Sequence, residues 1–317
     1  VERMLAHGAS STQITHIITQ LNDHTVCRVI ELVLADKGDP GVPFTWLCFG
    51  SEGRREQTLH TDQDNGILFE ARDAAEAASI RQRLLPIAQQ INQHLAACGF
   101  TLCKGNIMAG NPDLCLSRAE WARRFAAFIR EATPENLLAS TIYFDLRVVW
   151  GDEQGCAQLR RGILEQVADN RLFQRMMADN ALRHRPPVGR FREFVLERKG
   201  SDKATLDLKV QGLTPFVDGA RLLALANGVE ANNTLERLRQ LVALDVIEAL
   251  DGAAYEEAYH FIQQTRMQQH QLQTRENRPY SNRVDPDSLN QLDRRILREA
   301  LRQAQRLQSS LALRYQL

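Results

Sequence analysis

Two aspartates separated by a single residue, Asp62 and Asp64, carry the clearest chemistry in this 317-residue chain. They stand at the entrance of a short apolar run, Ile67-Leu68-Phe69, that reads as a strand. Residues i and i+2 of a strand point to the same face, so the two carboxylates project side by side. Such a pair stays ionised when a cation sits between its members. Oxygen-only ligands suit Mg²⁺ or Mn²⁺. Upstream, the apolar run Phe44-Thr45-Trp46-Leu47-Cys48-Phe49 ends at Gly50-Ser51, with Gly53, Arg54 and Arg55 following. Glycines let a backbone approach a phosphate closely, and N–H groups at a following helix start favour an anion. Ser51 adds a hydroxyl donor. Arg54 or Arg55 can reach phosphate oxygens, with one of the two pairing with Glu52 or Glu56 instead. Together these residues suit phosphoryl or nucleotidyl transfer, in which metal ions neutralise a triphosphate, activate the attacking oxygen and stabilise the leaving pyrophosphate. The stretch is neither a Walker loop nor a dinucleotide-binding glycine pattern, since no Gly-Lys-Ser/Thr follows the turn.

The elements that must position these groups follow from periodicity. Apolar residues at helical spacing over 11–36 predict a helix stopped by Gly38-Asp39-Pro40-Gly41. Ala74 to Cys98 reads as a second long helix, kinked or divided at Pro86 and ended by Gly99. Phe100–Cys103, continuing towards Ile107-Met108, reads as a third strand. Ser117 is the expected N-cap of a helix carrying Trp121, Phe125 and Phe128. A helix starting at Thr133-Pro134-Glu135 is expected to run through Trp150 and so to carry Asp145. Beyond Glu153 no strand alternation of any length is evident. A helix is expected through about Asn180. A basic, broken segment from Arg183 to Arg192 then suggests a domain boundary. Further helices follow at about 215–227, 234–250 (capped by Thr234), 253–274 and 287–315. The C-terminal half reads as a helical bundle. The expected domains are a helical segment over 1–40 that packs on the catalytic domain, a catalytic domain over 41–180 and a helical domain over 181–317.

Composition narrows the function. Lys+Arg and Asp+Glu are each 39, so no bulk nucleic-acid affinity is expected. No run of about 20 apolar residues exists, so no membrane span is expected. The six cysteines lie in or beside apolar segments without a Cys-x-x-Cys pair. They read as reduced core residues of a cytoplasmic protein. The first residue is Val, and the chain reads as part of something longer at its N-terminus.

Gly50-Ser51-x-Gly53-Arg54 followed by Thr61-Asp62-x-Asp64 resembles the signature of the polymerase β-like nucleotidyltransferase superfamily. The variant Glu-Gly-Arg-Arg-Glu with Thr-Asp-Gln-Asp-Asn is similar to one bacterial branch, nucleotidyltransferases related to the PII-protein uridylyltransferase and found downstream of cyclic-nucleotide-binding and CBS domains. Tyr143-Phe144-Asp145-Leu146-Arg147 with Gly151-Asp152, and further on Asp207-Leu208-Lys209, Gly212-Leu213-x-Pro215 and Ala220-Arg221, resemble the same branch. The resemblance implies an α+β fold, with a small mixed sheet flanked by helices and then a helical domain that closes over the nucleotide. It implies Asp62 and Asp64 as catalytic metal ligands, and Gly50, Ser51, Gly53 and Arg54 as the triphosphate-binding turn. It further implies Mg²⁺ or Mn²⁺ as cofactor, an NTP as substrate, an acceptor hydroxyl on a protein, and upstream sensory domains.

One departure stands out. The superfamily usually supplies a third carboxylate from a neighbouring strand, and Phe100–Met108 contains none. Asp145 is the best substitute, ahead of Glu70 and of Asp113 in its loop. Gln63 takes a position usually apolar in the superfamily, which suggests an exposed strand entrance. His60 reads as a turn residue, with support of the acidic pair from behind as the alternative; Asp207 and Lys209 read as a surface pair, with domain closure as the alternative; and the Arg183–Arg192 run reads as solvated charge, with contact to a triphosphate as the alternative. Three functions remain in view: a metal-dependent nucleotidyltransferase moving an NMP to a hydroxyl, a non-catalytic nucleotide-binding module in signal transduction, and a scaffold that binds no nucleotide.

Overall fold

The computed structural model describes residues 4, 8–59, 61–131, 133–189, 194–196 and 205–317. Two compact units emerge, one built from Thr15–Asn170 and the other from Arg171–Leu317 with the described residues up to Ile14. The helix following the first unit, Arg171–Ala181, packs within the second, so the division falls about ten residues before the basic segment.

The first unit is α+β. Its elements are α1 (Ser11–Lys37, from Thr15 onward), β1 (Phe44–Cys48), the one-turn α2 (Gly50–Gly53), β2 (Asn65–Phe69) and α3 (Ala74–Ala97), then β3 (Cys115–Ser117), α4 (Arg118–Arg130), α5 (Pro134–Tyr143), β4 (Arg147–Trp150) and α6 (Gln154–Ala168). Four strands form a mixed sheet in the order β3-β2-β1-β4. β1 runs antiparallel to β2, with Phe44 opposite Phe69 and Cys48 opposite Asn65. β3 is parallel to β2, and β4 is antiparallel to β1. All five residues of β1 and of β2 are buried, which is why both read as continuous apolar runs rather than as alternation. On one face Trp46, Cys48, Ile67 and Phe69 pack with Val26, Ile30 and Val33 of α1 and with Leu84, Ala88, Ile91 and Leu95 of α3. On the other face the Trp121 indole donates to the Ile67 carbonyl at 2.9 Å and its ring lies 5.7 Å from that of Phe49.

The local signals account for most boundaries. Ser117 caps α4 in a reciprocal capping box with Glu120. Thr133 caps α5, with Pro134 at its first position. α3 continues through Pro86 as one helix, so Pro86 does not divide it. Two strand assignments are corrected. Phe100–Met108 contributes only a bridge between Thr101 and Asp62, and the third strand is Cys115–Ser117, too short to show a pattern. The helix expected over 133–150 ends at Tyr143, and Arg147–Trp150 is a strand. Its Val148-Val149-Trp150 composition favours a strand, and pairing with β1 supplies the hydrogen bonds. The cysteines divide as well: Cys48, Cys115 and Cys156 are buried, but Cys98 is exposed, and all six are free.

The second unit is helical: α7 (Arg171–Ala181), α8 (Thr214–Ala226), α9 (Thr234–Ala243), α10 (Ala249–Arg275) and α11 (Gln291–Tyr315). Every residue from Pro215 to Leu225 is buried, so α8 is the core around which α7, α9 and α11 pack. Gly219 of α8 permits the close approach of α11, since a methyl there would come within 2.9 Å of Leu307. A small ladder, β5 (Leu206–Asp207) with β6 (Arg283–Val284), escaped the sequence because two residues carry no periodicity. Asn233, not Thr234, caps α9. The helix expected over 234–250 stops at Ala243, with Asp245 in the left-handed region.

Candidate active site

The site forms where β1 ends and β2 begins. The Phe49 N–H donates to the Asp64 carbonyl at 2.8 Å, and the chain then turns through Gly50, whose φ is +54°. That left-handed conformation favours glycine. A methyl at Gly50 would also press on the Asp64 carboxylate, 3.2 Å away. The turn and the second aspartate are thus in contact, with Ser51 half-buried beside them.

Residues 61–65 are held in register by main-chain bonds. Gln63 N–H donates to the Thr101 carbonyl at 2.8 Å and Asn65 N–H to the Ile107 carbonyl at 3.1 Å. Gln63 is buried, which corrects the exposed strand entrance expected from sequence. Its amide donates to the carbonyls of Asn92 and Phe100 at 3.0 and 3.1 Å. Its oxygen accepts from the Asn92 side chain at 2.8 Å. Asn92 also donates to the Asn65 side chain, which accepts from the Ala109 N–H. A polar side chain buried with its partners satisfied is a structural anchor. With Gln63 turned inward, alternation turns Asp62 and Asp64 the other way. Asp62 is exposed and Asp64 half-buried.

The Cys103 thiol hydrogen-bonds the Asp64 carboxylate, and burial followed by the charge of Asp64 raises its pKa. Cys103 lies in the very segment that lacks a carboxylate, so a thiol meets the aspartate there. The Tyr143 phenol is also raised, by burial and then by Asp64, Cys103 and Asp113, while Arg124 opposes them. Glu52, behind the turn, is pushed up to about 7, chiefly by burial. The Arg147 guanidinium holds this corner together. It donates to both Asp23 carboxylate oxygens at 2.8 Å and to the Glu52 carbonyl at 3.1 Å.

The remaining expected residues are placed elsewhere. Gly53 packs backbone to backbone, and a methyl there would fall 1.7 Å from the Asp145 carbonyl oxygen. Arg54 donates to Glu56 at 2.7 Å and to Asp145 at 2.6 Å. Burial lowers its pKa, but the two carboxylates more than offset that and hold it above its ordinary value. Asp145 is fully buried in the turn between α5 and β4, not on a helix. Among the described residues no three His, Cys, Asp or Glu side chains form a group able to hold a metal ion. Two oxygen donors with an exposed outer side fit a hard cation that completes its shell with water and phosphate oxygens. Asp207 caps its own turn through the N–H groups of Lys209 and Val210. His60, Arg190 and Arg192 lie outside the described residues.

Residues 1–135 match the model described as "Putative nucleotidyltransferase DUF294". Residues 171–315 match "Putative nucleotidyltransferase substrate binding domain". The chain belongs to this nucleotidyltransferase family. No curated protein matches it. No helix among the described residues is long and apolar enough to cross a membrane.

Proposed function

We propose that this chain is a divalent-metal-dependent nucleotidyltransferase that moves an NMP from an NTP to an acceptor hydroxyl. The observation that carries the reading is the aspartate pair. Asp62 and Asp64 flank a buried, fully bonded Gln63, and Asp64 lies against the left-handed Gly50 turn. Mg²⁺ or Mn²⁺ held by Asp62 and Asp64 would lower the charge barrier at the α-phosphate and acidify the acceptor hydroxyl. The chain's own part is positional. Gly50 offers the phosphates a backbone without a side chain, Ser51 adds a hydroxyl donor, and the Gln63–Asn92 anchor keeps both carboxylates on one side. The acceptor suggested by the resemblance is a protein side chain, as in PII uridylylation. Upstream sensory domains belong to the same proposal.

The test is transfer of label from α-labelled NTPs in Mg²⁺ or Mn²⁺, offered PII-type and other protein acceptors. Asp62→Asn and Asp64→Asn are each expected to lower transfer by at least about 10²-fold, the scale of losing one metal-based charge contact. Labelling that survives both substitutions would overturn the assignment. One observation favours the non-catalytic nucleotide-binding module instead: Asp145, the candidate third carboxylate, is engaged by Arg54. That reading expects thermal stabilisation by NTP and metal with no transfer to any acceptor.

A further inference from the structure

Helix α4 carries Trp121, Arg124 and Phe128 at spacings of three and four, which gathers them on one face. The Arg124 guanidinium lies 5.8 Å from the Trp121 ring centre, 5.6 Å from that of Phe128 and 5.2 Å from that of Tyr143. One of its N–H groups donates to the Asp113 carbonyl. Among the described residues no carboxylate lies within ion-pair distance of it. Its neighbours in the same unit differ: Arg54 pairs with Glu56 and Asp145, Arg81 with Glu120, and Arg147 with Asp23. Arg124 is therefore a half-buried cation held by rings, with donors left over.

Its position relates it to the aspartate pair. The Tyr143 ring meets that of Phe49 edge-on at 5.1 Å, and Phe49 hydrogen-bonds Asp64 through its backbone. The Tyr143 phenol lies within the fields of both Arg124 and Asp64. A guanidinium needs little further ordering when aromatic faces fix its plane, and its fork geometry matches phosphate oxygens. We propose that Arg124 is a polyphosphate-binding residue of the Asp62–Asp64 site, contacting the phosphates that the glycine turn and the metal leave uncovered. This deepens the nucleotide-binding reading and rests on it. It also supplies the cation that Arg54, engaged with Glu56 and Asp145, was expected to be.

The experiment measures binding of each NTP, its NMP and inorganic tripolyphosphate to the full chain in Mg²⁺, for wild type, Arg124→Met and Arg124→Lys. Methionine keeps an apolar stem among the rings, and lysine keeps the charge should methionine fail to fold. Loss of one charge-assisted phosphate contact corresponds to roughly 10- to 100-fold. The Arg124→Met variant is expected to lose that much affinity for NTP and tripolyphosphate while NMP changes far less, so the NTP-to-NMP preference collapses. The Arg124→Lys variant is expected to retain part of the preference. Unchanged tripolyphosphate binding in both variants, or equal losses for NTP and NMP, would overturn the role of Arg124 alone. A wild-type protein that binds no NTP and no tripolyphosphate would overturn the nucleotide reading and this inference together.

Discussion

Glu52 is the residue where burial has the most measurable consequence. Its side chain is 3 % exposed and its pKa is pushed up to about 7. The unfolded chain releases that proton near 4.5. As pH rises between these values the unfolded state ionises first, so the folded state loses stability across the window, and the full penalty stands above about pH 7. The shift corresponds to roughly 3 kcal/mol. Glu52→Gln should therefore gain stability relative to wild type between pH 4.5 and 7.5, read by urea denaturation with chelator present. A difference that stays constant with pH would show that Glu52 is ionised in the folded protein. Gly53 makes a different demand. A methyl there would fall 1.7 Å from the Asp145 main-chain carbonyl oxygen, so no rotamer change relieves it. Gly53→Ala should cost at least about 3 kcal/mol, by the scale of severe overpacking. Denaturation midpoints within error of wild type would contradict this close packing.

At the scale of elements, the aspartate segment depends on a helix that shares no motif with it. Asn92 of α3 joins Gln63, Asn65 and the N–H of Gly110 in one buried network. Asn92→Leu keeps comparable volume but leaves several buried polar groups without a partner, at about 1–3 kcal/mol each. The expected outcome is a loss of roughly 2–4 kcal/mol in stability. In variant protein that still folds, metal-dependent NTP binding should also be weaker, because Asp62 and Asp64 lose their fixed orientation. Isothermal titration beside denaturation checks both. Weakened stability with unchanged NTP affinity would show that the strand entrance holds its register by main-chain bonds alone. The capping box of α4 offers a milder case: Ser117→Ala should lower stability by about 1 kcal/mol.

At the scale of the whole molecule, each unit has its own core, and spectroscopy can address them separately. The three tryptophans of the chain, Trp46, Trp121 and Trp150, all belong to Thr15–Asn170. Tryptophan fluorescence therefore reports the unit that holds the aspartate pair. Saturating NTP with Mg²⁺, at 100 times its dissociation constant, should stabilise the fluorescence-detected transition by about 2.7 kcal/mol. The same addition to Asp64→Asn should give little shift. A transition indifferent to every NTP would leave the scaffold reading standing.

The sequence by itself determined the residues whose chemistry is local in spacing. An Asp-x-Asp pair at a strand entrance, a glycine turn between two apolar runs, and Ser or Thr at helix starts all act over a few residues, so their types and intervals suffice. The helical second half was legible for the same reason, since amphipathic periodicity needs no partner to be seen. Only the tertiary structure decided what depends on distant partners. The four-residue β4 gains its hydrogen bonds from β1, and β3 is too short to announce itself. Gln63 looks like a surface residue until Asn92, 29 positions away, satisfies it. Arg54 looked like a phosphate ligand, but Asp145, 91 positions away, engages it. Arg124 belongs to no motif in the sequence, and only folding closes three rings around it. In each case a polar or short segment takes its role from a group that only folding brings near, and burial then makes that contact strong.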